Sequence, residues 1–269
     1  MRGILLLSAT AVWCLACGGG GNGPSTPSSP SPTPNIPLGD ACGALGATAS
    51  PSLSIVNGAA CSADSSSVVL LNMRLADGIP LGACTGTIIT PRAILTAAHC
   101  LDENVEVVRV WLGSGSEIVA ESFAYHPSYR PNSATAIDVG VVFMAEDLPR
   151  MPVPLLTSRE VAVGETAVIA GWGRDQASIG ATLRAGTTVF TAVDPATLET
   201  VFSTTVSSIC LGDSGGPILV SQASRWAIAG VSSAASVFTC NEGTNFYVNI
   251  RFPGALSFIQ ELVPGVGGV

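Results

Sequence analysis

The apolar residues of this chain fall in short runs, at 68–75, 87–90, 93–96, 105–112, 138–144, 166–170, 226–232 and 245–250, separated by Gly, Pro, Asp and Ser. Runs of this length, rich in Val, Ile and Thr, favour extended strands over helices. One stretch differs: in 254–263, Leu256, Ile259, Leu262 and Val263 recur at helical spacing. The 269 residues are 47% hydrophobic and 11% charged, which suits one globular unit or two small lobes and excludes disorder over most of the length. Many short strands at close spacing point to an all-β sandwich or to barrels.

The first residues read as an address. Residues 1–16 carry one charge, Arg2, and an apolar stretch shorter than the ~20 residues that span a bilayer. They predict an export signal. Ala16 precedes Cys17, and four glycines follow, which resembles a bacterial lipoprotein signal with Cys17 as the acylated terminus. A plain secretory signal is the alternative. Residues 17–41, dominated by Gly, Pro and Ser, predict a solvated tether. Six cysteines remain, Cys42, Cys61, Cys84, Cys100, Cys210 and Cys240, and in an exported chain they suggest three disulfides of open connectivity. The body has no Cys-x-x-Cys, and His99 alone of the histidines lies beside a cysteine, so zinc is disfavoured and no metal or cofactor is expected. The net charge of −8 and the absence of lysine argue against nucleic-acid binding.

The chemistry concentrates in three segments: Thr96-Ala97-Ala98-His99-Cys100, Ile137-Asp138-Val139-Gly140-Val141-Val142, and Cys210-Leu211-Gly212-Asp213-Ser214-Gly215-Gly216-Pro217. A serine hydroxyl is a weak nucleophile and needs a base to take its proton. Histidine suits that task near neutral pH, and a carboxylate on its far nitrogen holds the tautomer. Singly, each segment has a bland reading: a structural His-Cys, an Asp on local amides, a serine in a turn. Glycines on both sides of Ser214 let the backbone bend and let amides converge on a developing oxyanion.

Together these motifs, in the order His, Asp, Ser, resemble the trypsin-like serine proteases of the chymotrypsin fold, over about residues 55–263. Gly171-Trp172-Gly173 and Tyr125-His126-Pro127 fit the same likeness, with His126 as a structural loop residue. The resemblance implies two antiparallel six-stranded β-barrels with a C-terminal helix: a pro-segment at 42–54, a first barrel at 55–155, and a second barrel with the helix at 156–269. It implies His99 as base, Asp138 as orienting acid and Ser214 as nucleophile. The amides of Gly212 and Ser214 would form the oxyanion hole, and Ser232 would hydrogen-bond Asp138. It pairs Cys84 with Cys100 and Cys210 with Cys240. Cys61 lacks its usual family partner, so Cys42 is expected to bridge to it and keep the pro-segment attached.

Ile55-Val56-Asn57-Gly58 resembles the terminus freed on zymogen cleavage, whose ammonium would pair with Asp213. Ser54 precedes that cut, so the activator is not trypsin-like; it is another protease, or the chain itself if it accepts serine there. Ser208 occupies the place of the pocket-base acid in enzymes that cut after basic residues. Ala234 and Asn245 are expected to narrow the pocket toward small or mid-sized apolar side chains. The expected partners are peptide or protein substrates and, through Cys17, a membrane surface. The expected product of these readings is an exported, lipid-anchored serine endopeptidase. A catalytically silent surface binding module is the alternative. An esterase, which would share the acyl chemistry, is a third reading.

Overall fold

A computed structural model describes residues 38–53, 58–102, 104–131, 136–174, 182–237 and 239–269. They belong to the unit Thr33–Val269. The chain enters through α1 (Leu38–Gly43) and a hairpin of β1 (Ala49–Leu53) and β2 (Ala59–Cys61). It then builds β3 (Val68–Arg74), β4 (Pro80–Thr90), β5 (Ala93–Thr96), β6 (Val107–Trp111), β7 (Ile118–Val119), β8 (Ser122–Tyr125) and β9 (Gly140–Phe143). The second half adds β10 (Thr166–Gly171), β11 (Arg184–Val193), β12 (Thr197–Val201), β13 (Pro217–Gln222), β14 (Arg225–Ala235), β15 (Thr244–Asn249) and the helix α2 (Pro253–Leu262).

The strands form two antiparallel sheets. The first runs β7-β6-β3-β4-β5-β9-β8, and the second runs β1-β2-β11-β10-β13-β14-β15-β12. A further β11–β12 pairing closes β10 to β15 into a six-stranded barrel, as the resemblance implies. The first sheet has seven strands rather than six, because the two-residue β7 adds an edge. Two boundaries also move. Residues 59–61, expected in the first barrel, pair with β11 of the second sheet. Residues 38–41, expected in the tether, are helical, and Ala41 and Cys42 are fully buried because Cys42 is bonded to Cys61.

The local sequence explains these elements. In β3, exposure alternates after Val69, so Leu71 and Met73 enter the core while Leu70, Asn72 and Arg74 sit at its border. In β13, Pro217 to Val220 are buried without alternation, as a strand packed on both faces requires. One core cluster draws on both sheets, joining Val69, Ile94 and Val141 to Val168, Leu219 and Ile228. Each such side chain contributes roughly 1.5–3 kcal/mol by leaving water. Pro253 starts α2 at a position where its missing N–H costs nothing, and Ala255 and Ile259 form the buried stripe.

Three disulfides staple this frame. Cys84–Cys100 ties β4 to the 3₁₀ turn Ala98–Cys100, Cys210–Cys240 ties the segment before β13 to the loop after β14, and Cys42–Cys61 ties α1 to β2. The last closes a separation of 19 residues. Replacing Cys42 and Cys61 by alanine is expected to lower stability by about 3 kcal/mol in urea unfolding; an unchanged midpoint would show that the bridge does not hold α1 in the folded unit.

Candidate active site

Burial and the chain's own donors decide the state of Asp138. Its side chain sits where β9 begins, 7% exposed, facing the 3₁₀ turn that follows β5. The His99 amide donates to its Oδ1 at 2.9 Å, and His99 Nδ1 lies 2.8 Å from its Oδ2. The Ser233 hydroxyl donates to Oδ2 at 2.6 Å. Burial alone would raise the Asp138 pKa, but the hydrogen bond and charge of His99, then the Ser233 hydroxyl and the His99 amide, hold it below the ordinary carboxylate value. An ionised carboxylate only accepts, so Nδ1 carries the proton and the neutral ring keeps its lone pair on Nε2. Burial alone would lower the His99 pKa; the hydrogen bond and charge of Asp138, with a smaller contribution from Asp102, raise it overall.

The hydroxyl on Asp138 is therefore that of Ser233, not Ser232. Strand β14 has an irregular register against β15 between Ser232 and Ala234, so Ser233 is an extra residue in the ladder. A bulge of this kind re-aims one side chain, and one-residue slips are invisible to motif matching. Ser232 is left buried.

Ser214 reaches the same place through backbone. Its carbonyl accepts the Thr85 amide at 2.8 Å and lies 3.9 Å from Cys100 Sγ, next to His99 in sequence. Thr85 also donates its hydroxyl to the Gly212 carbonyl at 2.8 Å and accepts the Trp172 amide at 3.0 Å. Thr96 in turn donates to the Thr85 carbonyl at 2.8 Å. Thr85 thus sews β4 of the first sheet to the Ser214 loop, a role with no signal in the sequence beyond its place after Cys84. Gly215, at φ +79°, is held so close that a Cβ would stand 2.0 Å from Thr96 Oγ1. Gly212, at φ +96°, also takes a conformation other residues rarely adopt. Among the described residues neither the Gly212 nor the Ser214 amide has a hydrogen-bond partner, and no hydrogen bond joins the Ser214 hydroxyl to His99. Such a contact commonly tightens only with substrate bound.

Asp213 lies in the same loop but in the opposite electrostatic state. Its carboxylate accepts the amides of Gly173 and Cys210, each at 2.8 Å. Burial nevertheless dominates and pushes its pKa up to about 6, against the pull of those amides and of the Arg184 charge. The expected partner, Ile55, lies outside the described residues, as does Cys17.

The expected pocket residues separate. Ala234 lines the cleft beside Ser214, with Ile209, Leu211, Ala235 and Val237. Ser208 and Asn245 do not line it. They are each 1% exposed and bonded to one another, the Asn245 amide donating to Ser208 Oγ at 3.0 Å and to Thr200 Oγ1 at 3.3 Å. His126 is apart from the site, with its ring 5.0 Å from that of Phe258 and its Nδ1 accepting the Ser128 amide. Among the described residues, Cys84, His99 and Cys100 bring metal-ligating atoms together, but both sulfurs are spent in one disulfide and Nδ1 faces Asp138. That donor set does not suit a metal.

Two titrations follow. The His99 imidazole should titrate above the ordinary imidazole value by NMR, and lower in Asp138→Asn, where only the smaller Asp102 contribution opposes burial; no difference between the two proteins would contradict the coupling. For Asp213 the folded chain binds its proton more tightly than the unfolded chain does. With Ile55 still joined to Ser54, stability should therefore fall as pH rises from about 4 through 6, and Asp213→Asn should lose that slope in urea unfolding.

Comparison with known proteins gives the family and the fold. The family model described as trypsin matches residues 55–259. Bovine chymotrypsin-like elastase family member 1 is 28% identical over 211 residues, covering 67% of this chain and 78% of that protein. The chymotrypsin of Phaedon cochleariae is 30% identical over 226 residues, covering 70% and 79%. A solved structure of HL collagenase superposes with a TM-score of 0.61 at 21% identity, over 76% of this chain and 95% of that one, a likeness of fold. With most of its length matched, the chain belongs to the trypsin family.

Proposed function

We propose that the protein is an exported serine endopeptidase that hydrolyses peptide bonds through an acyl-enzyme on Ser214. The observation that carries this reading is the hydrogen-bonded line from Ser233 through Asp138 to His99, set beside the glycine-flanked Ser214. His99 Nε2 takes the Ser214 proton as Oγ attacks the peptide carbonyl, and passes it to the leaving amine. Asp138 stabilises the imidazolium formed in between. The amides of Gly212 and Ser214 receive the developing oxyanion. Water then hydrolyses the ester by the same path in reverse.

Activation is proposed to follow cleavage before Ile55, by another protease or by a second copy of the chain. The freed ammonium would stabilise the buried Asp213 carboxylate, which otherwise holds its proton to about pH 6. The disulfides suit an oxidising compartment, and a lipid on Cys17 would hold the domain at the cell envelope behind its tether. The residues that line the cleft beside Ser214 include no acid, so a basic side chain before the cut finds no countercharge among them.

Hydrolysis of quenched peptides by the form cut before Ile55 tests the reading. Ser214→Ala should abolish turnover, and Asp138→Asn should cost about 10⁴, the loss known for the corresponding change in serine-protease triads. Activity should fall as pH drops through the raised His99 pKa, because the protonated ring cannot act as a base. A catalytically silent protein would show no turnover in any of these forms.

A further inference from the structure

The bulge that turns Ser233 toward Asp138 leaves Ser232 on the other side of β14. Ser232 is 2% exposed and lines the cleft beside Ser214. Its hydroxyl has no hydrogen-bond partner among the described residues. The hydroxyls of Thr87 and Thr188 share that state, but neither residue lines this cleft. Buried hydroxyls are nearly always paired, and an orphan on a residue that lines a binding cleft marks a place where a ligand atom can complete the pair.

The surroundings limit what that ligand atom is. The wall around Ser232 is apolar, from Ile209, Leu211, Ala235 and Val237, and carries no ionised side chain. An ionised side chain finds no countercharge in that lining, and one that ends in a hydroxyl can complete the pair with Ser232.

We propose that Ser232 is a specificity-determining residue, pairing with the hydroxyl of a substrate Ser or Thr placed immediately before the cleaved bond. The proposal rests on the endopeptidase reading above. The chain's own sequence carries a bond of this class, Ser54–Ile55, so a second copy of the protein falls within its substrate range. In that reaction Ser214 Oγ bonds to the Ser54 carbonyl carbon while its proton moves to His99. The Ser54–Ile55 C–N bond then breaks as the Ile55 nitrogen takes that proton. Water cleaves the resulting ester, which leaves the Ser54 carboxylate, the Ile55 amine and a restored Ser214.

The experiment compares quenched peptides with the sequence of residues 51–58 that carry Ser, Ala, Phe or Arg at the place of Ser54. The form cut before Ile55 should cleave the Ser peptide at least about tenfold better than the Phe and Arg peptides, and Ser232→Ala in that form should lower the Ser-to-Ala ratio of kcat/KM about tenfold. That ratio is internal to each protein and does not depend on how much of the variant folds. As a second measurement, the Ser214→Ala chain serves as substrate for wild type: an additional Ser54→Ala should slow its cleavage, and Ser54→Phe should block it. An unchanged ratio in Ser232→Ala, or preference for Phe or Arg, overturns the role of Ser232 and leaves the endopeptidase standing. No cleavage of any peptide overturns both.

Discussion

The site exists because two sheets meet at Thr85. One buried residue of β4 donates its amide to the Ser214 carbonyl and its hydroxyl to the Gly212 carbonyl, and accepts from Trp172 and Thr96. The strand that carries Thr85 also carries Cys84, whose disulfide pins the turn holding His99. His99 and the glycine loop are thus referenced to the same strand, although more than a hundred residues part them in the chain. Buried backbone groups that are fully paired leave little freedom for that loop to drift.

Two buried aspartates illustrate how partners, rather than burial, decide charge. Asp138 receives two side-chain donors and an amide and stays ionised. Asp213 has two amides and the Arg184 charge, and holds its proton to about pH 6. The first arrangement suits a group that must remain negative while a neighbouring ring gains a proton. The second suits a group that awaits a cation, which a new chain terminus would provide.

Much of this was legible in the residues themselves. The short apolar runs predict β3, β6, β9, β10, β14 and β15 to within a few residues, and helical spacing locates α2. Strands β11, β12 and β13 carry weaker patterns: β11 contains a glycine, β12 mixes polar residues, and β13 begins at the proline that closes the Ser214 motif. The motifs locate His99, Asp138 and Ser214, because their chemistry demands particular residue types at fixed neighbours. They do not reveal Ser233, since a bulge changes which of two adjacent serines faces Asp138. They do not reveal Thr85 either, since its work is done by backbone and by contacts far away in sequence.

The most direct measurement is the site of reaction with a fluorophosphonate, mapped by mass spectrometry on the form cut before Ile55. The account predicts a single adduct on Ser214, lost in His99→Ala although the fold is retained. An adduct on another serine, or equal labelling without His99, would contradict an imidazole-activated Ser214.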